Sequence, residues 1–176
     1  HIEIANYFLK KNLFDEVILM VTPTNPFKSK KNKNSFSQRY KLVELGVKGF
    51  SKIRASNIEN SLPKPNFTCH TLEFLRKKNP GTEYVFLMGS DLLNNFTKWK
   101  NYIEIINNHK IFVYPRNDKI IPSELKLHEN IKFFKASIIQ ISSTIIRDKI
   151  KNNVSIKGLV PIAVNDFLIK NKSYED

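Results

Sequence analysis

The stretch Ile141-Ser142-Ser143-Thr144-Ile145-Ile146-Arg147 holds the densest chemistry in the chain. Three consecutive hydroxyl residues open what reads as an amphipathic helix over 142–151. Side-chain hydroxyls and the free backbone N–H groups of a first helical turn make a cradle for phosphate, aided by the helix dipole. Arg147 stands three residues past Thr144, so one turn brings it to the same side. A guanidinium there can grip two phosphate oxygens at once. The plainer reading is a capped helix with an exposed Arg. One N-cap hydroxyl would satisfy that reading, and the other hydroxyls and the Arg are surplus to it.

Other segments carry weaker signals. Gly89-Ser90-Asp91 follows a buried apolar run. Gly lets a ligand approach the backbone, and Asp91 can accept hydrogen bonds from a ribose hydroxyl or an amide. The alternative is a turn that caps the next helix. Trp99, the one tryptophan, is either a core anchor or a platform for a flat heterocycle. Lys98 and Lys100 flank it and keep one edge wet. Asn66 to Leu72 leads from a Pro-rich loop into a helix. Thr68 reads as its N-cap, or the free amides there bind a carboxylate. Lys28, after Asn25-Pro26-Phe27, either steers a polyphosphate or is one more surface lysine. His70, His109 and His128 lack metal-ligand spacing, and no Ser-His-Asp or Cys-His arrangement can be argued. No residue is therefore assigned to a metal. The single cysteine, Cys69, excludes an internal disulfide and a Cys-based cluster, and fits a reducing, cytoplasmic setting.

The elements that must position these residues alternate. Helices are read over 2–11, over 37–47 with Ser37 as N-cap, and over 71–78, 99–107, 142–151 and 160–170. Strands are read over 16–21, 53–56, 84–88, 111–114 and 131–134. That alternation predicts an α/β fold with a mostly parallel sheet flanked by helices. The length, 176 residues, suits one domain over 1–176. Ligands in such sheets bind at the carboxyl ends of the strands. The rule selects 23–28, 89–91, 115–116 and 141–147, which contain much of the unusual chemistry. No apolar run approaches the roughly 20 residues that cross a bilayer, and His1-Ile2-Glu3 does not open a signal peptide. No membrane partner is expected. The net charge is +13. Its lysines are mostly scattered beside abundant Asn and Ile, which reads as an A- and T-rich genome. The run Lys28-Ser29-Lys30-Lys31-Asn32-Lys33 has no interleaved aromatic residue, so no nucleic-acid partner is expected.

These segments, in this order, resemble the nicotinate-nucleotide adenylyltransferase family of nucleotidyltransferases. Ile141–Arg147 resembles its Ile-Ser-x-Thr-x-Ile-Arg signature. Thr22–Lys28 resembles its loop after the second strand, although Phe27 stands where many members carry His. Asn66–Leu72 resembles its aromatic-Thr-x-x-Thr-Leu segment, Met88–Trp99 its Gly-x-Asp loop and following Trp, and Tyr114-Pro115-Arg116 its strand end. The start, His1–Asn6, resembles the last His of the family's Gly-x-Phe-x-Pro-x-His-x-Gly-His loop and the helix after it. The first strand, the Gly-rich turn and the first His are therefore expected to be missing from a truncated domain, and this chain alone is expected to be inactive. The resemblance implies a Rossmann-like nucleotidyltransferase fold. It implies AMP transfer from ATP to nicotinate mononucleotide in NAD synthesis, with magnesium carried on the ATP phosphates. It assigns His1 and Arg147 to catalysis. ATP would meet Ser142, Ser143, Thr144, Arg147, Gly89, Asp91 and Lys28; the mononucleotide would meet Thr68, Thr71, Trp99, Asn25 and Arg116. A sister transferase acting on nicotinamide mononucleotide or pantetheine phosphate is the first alternative. A non-catalytic basic domain that binds nucleic acid is the second. A homo-oligomer is left open.

Overall fold

The computed structural model describes residues 1–27, 34–116 and 123–171. In chain order the elements are α1 (Ile2–Lys10), β1 (Val17–Met20), α2 (Phe36–Val47), β2 (Ile53–Ser56) and a 3-10 turn (Ile58–Ser61). Next come α3 (Thr68–Lys78), β3 (Phe86–Gly89), a 3-10 helix (Ser90–Lys98), α4 (Tyr102–Asn108) and β4 (Ile111–Tyr114). Last are α5 (Ser123–Lys126), β5 (Ile131–Phe133), α6 (Ser143–Lys151) and α7 (Ile162–Lys170). They gather in two compact units, His1–Pro63 with Gln140–Asp176, and Lys64–Ile139.

In the first unit β1 and β2 pair in parallel, from Val17 opposite Ile53 to Met20 opposite Ser56. Val17 and Ile53 bury with Ala5 of α1, and Ile2, Leu9 and Leu19 pack around them. Removing a Val or Ile side chain such as Val17 or Ile53 from water stabilises by roughly 1.5–3 kcal/mol. A second cluster joins Ile146 of α6, Ile156, and Val164 and Leu168 of α7, with Leu42 and Leu45 of α2 against it. Helix α6 is thus held by one buried face. Ser143, Thr144, Ile145 and Arg147 in its first turns stay exposed.

Helix α2 starts earlier than the sequence led us to expect. Its N-cap is Ser35, not Ser37. Ser35 Oγ accepts from the Gln38 N–H at 3.2 Å, and Gln38 Oε1 accepts from the Ser35 N–H at 2.9 Å. This reciprocal pair satisfies two helix-end donors at once, which a cap at Ser37 would not have done.

The second unit carries a parallel ladder in the order β3-β4-β5. All four residues of β4 are buried, as a central parallel strand requires. The cluster beneath it includes Met88, Leu93, Phe96, Ile105, Ile111, Val113 and Leu125. The helix expected over 99–107 begins three residues later, as α4, and a 3-10 helix for which no element was expected precedes it. The 3-10 helix Ser90–Lys98 comes first, with Ser90, Leu93 and Phe96 buried at every third position. That spacing suits three residues per turn. Asn101 then takes a left-handed φ of 53°, a conformation Asn tolerates, and α4 starts after it. No helix among the described residues is long and apolar enough to cross a membrane.

Candidate active site

The residues selected from the sequence divide between the units. In the first unit, Ser142 is the N-cap of α6, and its hydroxyl accepts from the Ile145 N–H at 3.2 Å. Its carbonyl takes the Ile146 N–H at 3.1 Å. The Ser142 hydroxyl is therefore committed to the cap. The N–H groups of Ser143 and Thr144 make no hydrogen bond among the described residues. Arg147 Nη2 donates to Thr144 Oγ1 at 3.0 Å, so the guanidinium lies along the first turn. No carboxylate among the described residues pairs with it. Open amides, exposed hydroxyls and an Arg at the positive end of a helix are groups that could hold an anion.

Two further positions belong to this unit. His1 is exposed at the N-cap of α1, where its carbonyl accepts the Ala5 N–H at 2.9 Å and its side chain makes no cap bond. Asn25 is exposed beyond the end of β1 and turns the chain, its Oδ1 accepting the Phe27 N–H at 2.8 Å. Lys28 lies outside the described residues. Arg39 carries no motif signal in the sequence. From α2 its Nη1 donates to the Thr22 carbonyl at 2.7 Å and its Nη2 to the Pro23 carbonyl at 3.1 Å. No local pattern could have found it, since its partners lie sixteen and seventeen residues away.

In the second unit the ends of β3 and β4 meet. Gly89 has an ordinary φ of −80°, so its need for glycine is spatial. A Cβ there would collide with Asp91 Oδ1 and stand 2.9 Å from Arg116 Cγ. Gly89, Asp91 and Arg116 are thus brought together, on a scale that leaves no room for a methyl group. Ser90 is buried and ties the two strand ends, its Oγ accepting the Arg116 N–H at 2.9 Å. The Asp91 carboxylate makes no ion pair among the described residues and remains an acceptor.

The start of α3 lies in the same unit. Thr68 is its first helical residue and Phe67 its N-cap, so the expected Thr68 cap is absent, and the Phe67 side chain makes no cap bond. A cap residue needs non-helical backbone, which Phe67 has and Thr68 does not. The N–H groups of Thr68 and Cys69 make no backbone hydrogen bond among the described residues. Lys100 Nζ lies 4.7 Å from the Phe67 ring centroid, a cation beside this helix end. Thr71 is buried, and its hydroxyl donates to the Phe67 carbonyl at 3.4 Å. Trp99 is half-buried against Phe96 and Phe86, at centroid distances of 5.3 and 5.9 Å. Burial pushes the Cys69 thiol up, so it stays protonated and inert. A polar cleft of about 320 Å³ opens at the opposite, amino ends of these strands, lined in part by Arg76, Tyr84, His109 and Asn130. It takes in none of the selected residues.

A cytidylyltransferase-like family profile matches residues 1–149. A protein of Flavobacterium psychrophilum named "Probable nicotinate-nucleotide adenylyltransferase" is 41% identical over 176 residues, covering 99% of this chain and 91% of that protein. One of the same name from Cytophaga hutchinsonii is 36% identical, covering 100% and 91%. The fold is that of the Plasmodium falciparum nicotinic acid mononucleotide adenylyltransferase. Its complex with NaAD superposes with a TM-score of 0.82 at 19% identity, covering 99% of this chain and 90% of that one. Its complex with APC gives 0.80 at the same identity and coverage. The chain belongs to the nicotinate-nucleotide adenylyltransferase family, within the cytidylyltransferase-like nucleotidyltransferases.

Proposed function

We propose that the protein transfers the AMP moiety of ATP to nicotinate mononucleotide, releasing pyrophosphate and forming nicotinate adenine dinucleotide for NAD synthesis. The observation that carries this reading is the start of α6, where open amides, Thr144 and an unneutralised Arg147 form an anion site in a chain of this family. The 5′-phosphate oxygen of the mononucleotide bonds to the α-phosphorus of ATP, and the bond from that phosphorus to the pyrophosphate oxygen breaks. Little covalent chemistry falls to the protein, so positioning and charge neutralisation carry the rate. Arg147 and the α6 amides hold the phosphates. Asp91 accepts from a ribose hydroxyl. The open start of α3 favours the nicotinate carboxylate, with Trp99 against its ring and Arg116 and Asn25 completing the mononucleotide contacts. His1 donates to charge that develops on the phosphates. Magnesium would ride on the ATP phosphates, as such an ion commonly does in nucleotide sites. The setting is cytoplasmic.

Arg147→Ala in the full-length gene product tests the phosphate role. A charge-assisted hydrogen bond contributes about 1.5–3 kcal/mol, so kcat/KM for ATP should fall about tenfold to a hundredfold. Unchanged steady-state constants for ATP would remove Arg147 from the site.

A further inference from the structure

Strand β1 leaves its ladder at Val21, whose N–H takes the last bond from the Ser56 carbonyl at 3.0 Å. Beyond it the chain has no strand partner among the described residues, and Pro23 has no N–H to give. The carbonyls of Thr22 and Pro23 would be free to swing with the loop. The two Arg39 bonds stop that. A planar guanidinium can meet two successive carbonyls at fixed spacing, and an ammonium cannot. The anchor itself is stiff. Arg39 sits one turn into α2, behind the Ser35–Gln38 capping box, and its guanidinium carbon lies 5.7 Å from the Phe36 ring centroid. Its Nε is buried and makes no hydrogen bond. No carboxylate among the described residues neutralises it. Two residues past the clamp comes Asn25, which closes its own turn on the Phe27 N–H.

We propose that Arg39 is a positioning residue for the mononucleotide: by clamping the carbonyls of Thr22 and Pro23 it holds the Asn25 turn in the shape that receives the substrate. This rests on the reaction proposed above, in which Asn25 contacts that substrate. A brace needed only for folding would act on both substrates alike. The clamp acts through Asn25 and is selective.

Arg39→Lys in the full-length enzyme tests it, because lysine keeps the charge and loses the fork. The KM for nicotinate mononucleotide should rise about tenfold, while kcat and the KM for ATP move less than about twofold. Residues that act through one another are not additive, so in an Asn25→Ala background the same substitution should add less than about twofold. Hydrogen exchange of the Phe27 amide should speed up in Arg39→Lys while amides of β1 and β2 keep their protection. Equal losses for both substrates, additive losses in the double variant, or unchanged exchange at Phe27 would each overturn the clamp. A wild-type enzyme that fails to turn over the mononucleotide would instead sink the reaction, and the exchange comparison would still decide whether Arg39 holds the turn.

Discussion

At the scale of single residues, Gly89 sets the tightest constraint in the second unit. Its hydrogen atom faces space that Asp91 and Arg116 already fill. Gly89→Ala should therefore push the Asp91 carboxylate out of place rather than strain the backbone. Overpacking of this kind costs about 1–3 kcal/mol, so kcat/KM should fall roughly ten- to a hundredfold. The double variant Gly89→Ala/Asp91→Ala should add to the loss of Asp91→Ala only what the 2.9 Å approach of the new Cβ to Arg116 Cγ costs, since both substitutions remove the same acceptor. Kinetics of the three variants side by side check this, and wild-type constants in Gly89→Ala would refute it. The sequence marks Gly89 for a reason different from the one the structure gives. A Gly after a buried strand suggests room for a ligand, whereas here the room is taken by the chain's own side chains. The ties made by Ser90 and Arg39 are not legible in the sequence because each works through a partner distant along the chain, at Arg116 and at Thr22 and Pro23.

At the scale of elements, the start of α6 and the bounds of β2 and β4 follow directly from residue order. Ile111–Tyr114 is a short apolar run stopped by Pro115, and Ser142 is the first hydroxyl ahead of a helical pattern. Competing signals spoiled other boundaries. Ser35 and Ser37 offer similar caps, and the glutamine three residues after Ser35 decides between them. The 3-10 helix was legible only in the spacing of Ser90, Leu93 and Phe96, which a search for 3.6-residue periodicity passes over. Trp99 ends that helix, its N–H bonded to the Phe96 carbonyl. Trp99→Ala should accordingly lower the thermal transition and raise the KM for the mononucleotide. Trp99→Phe should restore most of the stability and less of the binding. Ring stacking is worth about 1–3 kcal/mol, so the KM effect of the alanine variant should reach roughly tenfold. A KM rise equal for both substrates would leave Trp99 as a core residue alone.

At the scale of the whole molecule, the parallel α/β character was legible from alternating strands and helices, because each β–α step leaves the same carboxyl-end edge for ligands. Which strands pair was not, since short apolar runs carry no register. The charge of +13 sits outside the ion pairs, which among the described residues are few and exposed and contribute little. One titration matters for the fold. Burial lowers the pKa of His109, helped by the nearby Arg76 and opposed by the Tyr84 carbonyl. The unfolded chain then binds a proton at about pH 6.5 where the folded one does not, so stability from His109 is present above that pH and lost as the pH falls below it. The thermal transition should drop as the pH falls below about 6.5, and the drop should shrink in His109→Gln. An identical acid-side profile in that variant would assign the loss elsewhere.

The central claim is adenylyl transfer to a nicotinate-bearing mononucleotide. The most direct measurement supplies the full-length gene product with ATP, magnesium and either nicotinate or nicotinamide mononucleotide, and follows pyrophosphate and dinucleotide together. The account predicts one pyrophosphate released for each dinucleotide formed. It also predicts a higher specificity constant for the acid, whose carboxylate would meet the start of α3 with the Lys100 ammonium nearby. A preference for the amide, or no dinucleotide from either mononucleotide, would contradict it.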